Sequence, residues 1–102
     1  MRSAFYCLVN FLNTTNINDV YYKAAKTILA NIYKIPQYNI IEVADMCYVS
    51  TATISRLCRK LNYESFADFK NDVILNLNYF NQDAKRLIFD HQLPDKKTLG
   101  DG

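Results

Sequence analysis

The residues best suited to bind an anion lie together in one segment, residues 50–61. This segment holds Arg56, Arg59 and Lys60 and no acidic residue. In contrast, residues 1–49 hold four basic and three acidic groups, and residues 62–102 hold five basic and seven acidic groups. Clustered positive charge attracts an anionic partner such as a phosphate backbone, although a solvated helix face has the same composition. Charge alone leaves both interpretations open.

The apolar residues of this segment recur at the helical spacing i, i+3, i+4 and i+7, at Ile54, Leu57, Cys58 and Leu61. They predict an amphipathic helix over Ser50–Leu61, with the Ser50 hydroxyl capping the N–H group of residue 52 or 53. At 100° per residue, the face away from the apolar stripe carries Ala52, Ser55, Arg56 and Arg59, flanked by Thr53 and Lys60.

Such a helix is suited to the major groove of DNA, because small and hydroxylated residues at its N-terminal end let it approach the base edges. Arg56 is the candidate for bidentate recognition of guanine, and Arg59 and Lys60 are candidates for phosphate contacts. Ser50 and Thr51 lie where the helix N-terminus favours a phosphate. The predicted DNA-binding residues are therefore Ser50, Thr51, Ala52, Thr53, Ser55, Arg56, Arg59 and Lys60.

A second short helix precedes this one, at about Ile40–Met46. Asn39 followed three residues later by Glu42 resembles a capping box at its start. Ala44 is small where the two helices must pass closely, and Val49 provides an apolar contact in the turn. Two short helices joined by three residues predict a helix-turn-helix at Ile40–Leu61.

The rest of the chain predicts an all-α fold, a compact bundle of about five helices, since only two Gly and two Pro interrupt it. The first helix is expected at about Ala4–Leu12, with an apolar face of Phe5, Leu8, Val9 and Leu12. A second helix should begin after an Asn18 N-cap, with Asp19 in its first turn, and should end near Ile35, because Pro36 disfavours helical geometry at the preceding residue.

Another helix is predicted after Asn62, a residue that tolerates the left-handed conformation at a helix C-terminus. Ser65 and Asp68 form a capping pattern at its start, and its buried stripe is predicted to be Phe66, Phe69, Val73 and Leu77. Asp83–Leu93 is compatible with a further helix, and residues 94–102 are expected to be loose.

Several classes of site are not indicated. Three cysteines, Cys7, Cys47 and Cys58, without a Cys-x-x-Cys spacing, predict free thiols in a reducing cytoplasm rather than a disulfide framework or a zinc site. Cys58 is expected in the core and Cys47 in the turn. No apolar run is long enough to span a membrane. With His91 as the only histidine and no glycine-rich phosphate loop, we expect no enzyme activity, no metal and no cofactor.

A helical protein-interaction module is the alternative function. It rests on the apolar residues near both ends of the predicted bundle: Phe5, Leu8, Phe11, Leu12, Tyr79 and Phe80. The same residues are equally suited to a homodimer interface, which an operator with two half-sites requires.

Residues 22–77 resemble the N-terminal helix-turn-helix domain of the RpiR family of bacterial transcription regulators. The resemblance rests on ILANIYKIPQYNIIEVA at 28–44 and VSTATISRLCRKLNYESFADFK at 49–70. Matches to the family pattern are Ser50, Ala52, Thr53, Arg56, Cys58, Lys60, Leu61, Tyr63, Phe66 and Lys70. Two residues depart from it, since the family commonly has glycine where this chain has Tyr48 and Asn62. A left-handed backbone at Tyr48 costs about 1–2 kcal/mol.

The resemblance implies a regulator that binds double-stranded operator DNA, acts as a homodimer and controls genes of sugar metabolism. In such proteins a C-terminal sugar-isomerase-type (SIS) domain senses a phosphosugar, and no such domain is present in these 102 residues. We therefore expect residues 1–80 to be the DNA-binding domain and residues 81–102 to be a tail, or the start of a linker to that sensor in a longer protein.

Overall fold

The computed structural model describes residues 3–78, and these residues form a helical bundle without strands. The elements are α1 (Ala4–Thr14), α2 (Val20–Ala30), a 3-10 helix (Ile32–Gln37), α3 (Ile40–Cys47) and α4 (Thr51–Lys60). A further helix, α5, begins at residue 66 and continues to residue 78. The all-α prediction is confirmed. The segment Asp83–Leu93, the expected loose tail, and Tyr79 and Phe80 lie outside the described residues.

The first two helices have side-chain caps at their N-termini. The Ser3 hydroxyl accepts the N–H of Tyr6 at 3.2 Å. The cap of α2 is Asp19, whose carboxylate accepts the N–H of Tyr21 at 2.7 Å, so the prediction of Asn18 was wrong by one residue. Asn18 instead donates its own N–H to the Asn16 side chain at 2.8 Å, which places it in the preceding turn. A carboxylate at the cap also complements the positive end of the helix dipole.

The predicted end of α2 near Ile35 was also wrong, since the helix ends at Ala30. Asn31 leaves the helical conformation, and its side-chain amide donates to the Thr27 carbonyl at 2.8 Å. The chain then continues as the 3-10 helix, which contains Pro36. A proline pre-sets φ near −65° and so fits a 3-10 turn, although it cannot donate a hydrogen bond.

One apolar core joins all the helices. The buried stripe of α5 is Phe66, Phe69, Val73 and Leu77, as predicted. The Val9 prediction was wrong, because Val9 is exposed while Ala4 and Leu8 are the buried residues of α1. The core consists of Ala4, Leu8, Ala24, Ala25, Ile28, Ile32, Ile35, Val43, Ala44, Ile54, Leu57, Cys58, Leu61, Tyr63, Phe66, Phe69, Val73 and Leu77.

Helix α2 lies at the centre of the bundle, in contact with α1, α3 and α4. Two hydrogen bonds connect α5 to distant parts of the chain. Asn76 accepts the N–H of Ala4, the first residue of α1, at 2.7 Å. The Lys70 ammonium donates to the carbonyl of Tyr38 at 2.7 Å, just before α3 begins. These bonds fix the first helix and the start of the helix-turn-helix relative to α5.

A third polar contact joins the segment after α4 to α5. The Tyr63 hydroxyl donates to the Asp72 carboxylate, and the Tyr63 ring meets the Phe69 ring edge-on at 5.4 Å between centroids. Burial raises the pKa of Tyr63 well above its ordinary value, and the neighbouring carboxylate of Asp72 raises it further. Tyr63 therefore keeps its proton, and this hydrogen bond, at an alkaline pH where an exposed tyrosine ionises.

Candidate nucleic-acid interface

The first helix of the predicted motif begins with a complete capping box. The Asn39 side chain accepts the N–H of Glu42 at 2.8 Å, and the Glu42 carboxylate accepts the N–H of Asn39 at 2.9 Å. Two N–H groups that have no partner inside the helix are thereby satisfied. The predicted start of α3 is confirmed, and the helix extends one residue beyond its predicted end, to Cys47.

The turn between the two helices contains a non-glycine residue in the left-handed region. Tyr48 has φ 60° and ψ 41°, and its N–H bonds to the Asp45 carbonyl at 3.2 Å. The N–H of Val49 bonds to the Ala44 carbonyl at 3.0 Å. Ala44 is buried and Val49 packs half-buried against the core, in the places expected for them. Cys47 belongs to α3 rather than to the turn, contrary to prediction, because the left-handed residue comes one position later.

Ser50 fixes the start of α4. Its hydroxyl accepts the N–H of Thr53 at 3.1 Å and lies 3.0 Å from the Thr53 hydroxyl. Ile54 and Leu57 are fully buried and attach α4 to the core. The predicted cap and both anchors are confirmed. The Ser50 hydroxyl is thus used to hold the helix, and the backbone N–H groups of residues 51 and 52 remain at its open end.

The opposite side of α4 faces solvent. Thr51, Ala52, Arg56, Arg59 and Lys60 are exposed, and Thr53 and Ser55 are half-buried. The positions 52, 56 and 59 follow the spacing i, i+4, i+7, so these side chains form one continuous stripe. The structure therefore brings together on one surface most of the residues predicted to bind DNA, with Thr53 and Ser55 at its margin. No acidic residue lies between Asp45 and Glu64.

The three cations of α4 have different surroundings. Within residues 3–78 neither Arg56 nor Arg59 makes a side-chain hydrogen bond or an ion pair. The Lys60 ammonium lies 4.8 Å from the centroid of the Tyr21 ring, within the distance of a cation–π contact. Sequence reasoning did not predict this role of Tyr21, since the two residues are 39 positions apart and no local pattern links them.

The C-terminal end of α4 is closed by a second left-handed residue. Asn62 has φ 72°, and its N–H bonds to the Arg59 carbonyl at 2.9 Å. The N–H of Tyr63 bonds to the Cys58 carbonyl at 2.9 Å. The prediction for Asn62 is confirmed, and asparagine is among the residues that adopt this conformation most readily.

The two thiols near the motif are not suited to nucleophilic chemistry. Burial raises the pKa of Cys58 to about 12 and that of Cys47 to about 11. The Cys47 thiol points to the Ala24 carbonyl, with its sulfur at 3.7 Å. Cys58 lies in the core as predicted. Among the described residues, no group of three or more His, Cys, Asp or Glu side chains is placed to hold a metal ion.

The open cavity beyond Asn62 has the wrong charge for a nucleic acid. Its volume is about 480 Å³, and its walls include the acidic residues Glu64, Asp68 and Asp72 but no basic residue. A phosphate would be repelled there. The exposed face of α4, with three cations and no acidic residue, suits a nucleic acid better than this cavity does. None of these helices is both long and apolar enough to cross a membrane.

Comparison with known proteins identifies a matching family. The model of a helix-turn-helix domain, that of the rpiR family, matches residues 13–79, which contain α2, α3 and α4 in full. Neither a curated protein nor a solved structure matches the chain.

Proposed function

Because the chain belongs to the rpiR family of helix-turn-helix domains, we propose that it is a sequence-specific transcription regulator that binds double-stranded operator DNA through α4. The observation that carries this proposal is the pair Arg56 and Arg59. Their guanidinium groups share one exposed face of α4 and have no side-chain hydrogen bond or ion pair within residues 3–78. A guanidinium without a protein partner is available to a base edge or to a phosphate.

The N-terminal half of α4 is the part that reads bases in this proposal. Ala52 is exposed and short, and Ser55 is half-buried one turn later, so the helix backbone can approach the floor of the groove. Arg56 is long enough to reach the O6 and N7 atoms of guanine with two parallel hydrogen bonds. Thr53 lies at the margin, and its hydroxyl contacts Ser50, which leaves it a minor role in recognition.

The ends of α4 are the parts that hold the DNA backbone. Arg59 and Lys60 lie one turn beyond Arg56 and are assigned to phosphates, which set the register of the helix without selecting a sequence. At the other end we assign a phosphate to the Thr51 hydroxyl and to the N–H groups of the first turn. Ser50 contributes there chiefly by positioning, since its own hydroxyl accepts the N–H of Thr53.

The biological role that we propose is control of genes for sugar or phosphosugar metabolism by a homodimer. Two copies would place two α4 helices on the two halves of a palindromic operator. The predicted interface residues of α1 were wrong, because the core buries Leu8 and packs against Phe5, Phe11 and Leu12. The exposed apolar side chains of α1 are Tyr6 and Val9, and these support self-association of this helix. A phosphosugar effector would act through a sugar-isomerase-type sensor domain rather than through α4, whose cations we assign to DNA.

A titration of labelled duplex DNA tests the proposal. The chain is added to DNA from its own upstream region and to a random-sequence pool, at about 50 mM and about 200 mM salt. We expect tighter binding to the upstream region than to the pool, and weaker binding at the higher salt concentration. Equal affinity for both DNAs would contradict sequence-specific recognition.

The alternative function, a protein-interaction module without specific DNA binding, is separated by reversing charge. Arg56→Glu together with Arg59→Glu abolishes operator binding under our proposal, while the circular dichroism spectrum stays unchanged because both side chains are exposed. Under the alternative, neither the unmodified chain nor the double variant prefers the operator to random DNA. Since neither arginine side chain has a hydrogen-bond or ion-pair partner within residues 3–78, we expect the double variant to fold.

A further inference from the structure

The side chain of Tyr48 is not used to stabilise the fold of residues 3–78. It is 94% exposed, compared with 70% for Tyr6, 62% for Tyr33 and 60% for Ile41. Within residues 3–78 its ring and hydroxyl contact no hydrogen-bond or aromatic partner. A tyrosine normally buries its ring or uses its hydroxyl, so such exposure is unusual for a residue in a well-packed turn.

The backbone conformation of Tyr48 is also unfavourable for a residue other than glycine. Its φ of 60° lies in the left-handed region, where a β-carbon is unfavourable and glycine is not. The turn requires this conformation, because it directs the N–H groups of Tyr48 and Val49 back to the carbonyls of Asp45 and Ala44. Glycine would close α3 equally well. The strain thus comes from having tyrosine instead of glycine at this position, and strain of this kind is an indication of function.

The location of Tyr48, beside the N-terminus of α4, indicates a role in binding DNA. It lies three residues before Thr51, so their Cα atoms are at most about 10 Å apart. A helix whose N-terminal end enters the major groove has a phosphate strand passing its N-terminal turn, and tyrosine hydroxyls are frequent donors to such phosphates. From Met46 to Tyr63 there is no acidic residue that would repel a phosphate from this surface.

We propose that Tyr48 belongs to the DNA interface and that its hydroxyl donates a hydrogen bond to a backbone phosphate beside the groove that α4 enters. This inference rests on the proposed function, and it adds a contact that the helix itself does not supply. The tyrosine hydroxyl carries no charge, and it contacts the sugar-phosphate backbone rather than a base. It therefore strengthens binding to every sequence and changes its salt dependence little.

Three variants test the proposal. Tyr48→Gly relieves the backbone, so we expect its melting temperature to rise by about 4 °C, while its affinity for operator and random DNA falls by at least about fivefold. Tyr48→Asn also tolerates the left-handed backbone and keeps a β-carbon, and it should lose affinity equally. Tyr48→Phe keeps the ring and should show most of the loss. The salt dependence of binding should change little in all three.

Tyr33→Ala is the matched control, since Tyr33 is also an exposed tyrosine but lies on the 3-10 helix between α2 and α3. Its DNA affinity should equal that of the unmodified chain. Unchanged affinity in Tyr48→Gly would overturn the placement of Tyr48 at DNA and leave the ring for a protein contact. If Arg56→Glu with Arg59→Glu abolishes binding in the same assay, only this inference fails. If the arginine variant binds normally too, the proposed function fails.

Discussion

The ammonium of Lys60 lies over the ring of Tyr21, 4.8 Å from its centroid. This contact joins the last residue of α4 to the first turn of α2. Lys60 remains exposed while its ammonium is held, because the ring occupies only one side of the cation. A lysine that is pre-positioned in this way loses less side-chain entropy when it binds a phosphate.

The contact between Lys60 and Tyr21 should be measurable in stability. We expect a double-mutant cycle with Lys60→Met and Tyr21→Leu to give a coupling free energy of about 0.5–1 kcal/mol, the range for exposed cation–π pairs. The measurement is urea unfolding of the four proteins. Additive losses would show that the ammonium and the ring do not interact in solution.

Arg59→Ala should weaken binding to all DNA sequences by a similar factor, because we assign Arg59 to a phosphate. Removing one phosphate contact lowers the slope of log K against log salt concentration by about 0.9. The slope is measured on operator and random duplexes. A loss confined to the operator would reassign Arg59 to base recognition.

Arg56→Ala should act differently, since Arg56 is assigned to a guanine edge. We expect the preference for the operator over random DNA to fall by about 1–3 kcal/mol, with a smaller change on random DNA. Arg59→Ala, one turn away on the same face, is the control. Equal losses on both DNAs would mean that Arg56 contacts only the backbone.

Substitutions at Ser50 should separate the stability of α4 from DNA binding. Ser50→Ala removes the bond to the Thr53 N–H and should cost about 1 kcal/mol of unfolding free energy. Ser50→Asp retains the cap and should retain stability in urea. Its carboxylate, however, lies beside the proposed phosphate, so DNA affinity should fall at least about tenfold. Full DNA binding by a stable Ser50→Asp protein would exclude a phosphate at this helix end.

The buried thiol of Cys58 should make the fold sensitive to alkaline pH. Burial raises its pKa from 9.0 to about 12 in the folded protein. Above pH 9 the unfolded chain releases the thiol proton and the folded protein keeps it, so stability is complete below pH 9 and falls as pH rises towards 12. We expect Cys58→Ala to lose less stability than the unmodified chain between neutral pH and about pH 10.5. Cys47 and Tyr63 titrate in both proteins, so an identical loss in the two would contradict this role of Cys58.

The helix boundaries that sequence reasoning predicted correctly depend on short-range chemistry. The capping box of Asn39 and Glu42, the Ser50 cap and the left-handed Asn62 each involve groups within a few residues of one another. The apolar spacing of α4 likewise predicted which residues are buried. One error arose where two neighbouring residues could serve the same purpose, as with Asn18 and Asp19.

Contacts between distant segments could not be predicted in the same way. The Tyr63 hydroxyl bonds to Asp72, and the Lys70 ammonium to the Tyr38 carbonyl, but neither pairing leaves a periodic signal in the sequence. The exposed face of α4 was predictable because amphipathic periodicity defines both faces of a helix. Its surroundings, including the ring beneath Lys60, were not.

The hydrogen bond from the Ala4 N–H to Asn76 has a consequence for the order of folding. It joins residues that are 72 positions apart, whereas the caps and helical bonds join close neighbours. Closing so long a loop costs chain entropy that is recovered only once the intervening helices have packed. The helix-turn-helix can therefore assemble from local contacts before α1 is secured to α5. Exchange of the Ala4 amide with solvent would then report on the last step of closure rather than on the DNA-binding helix.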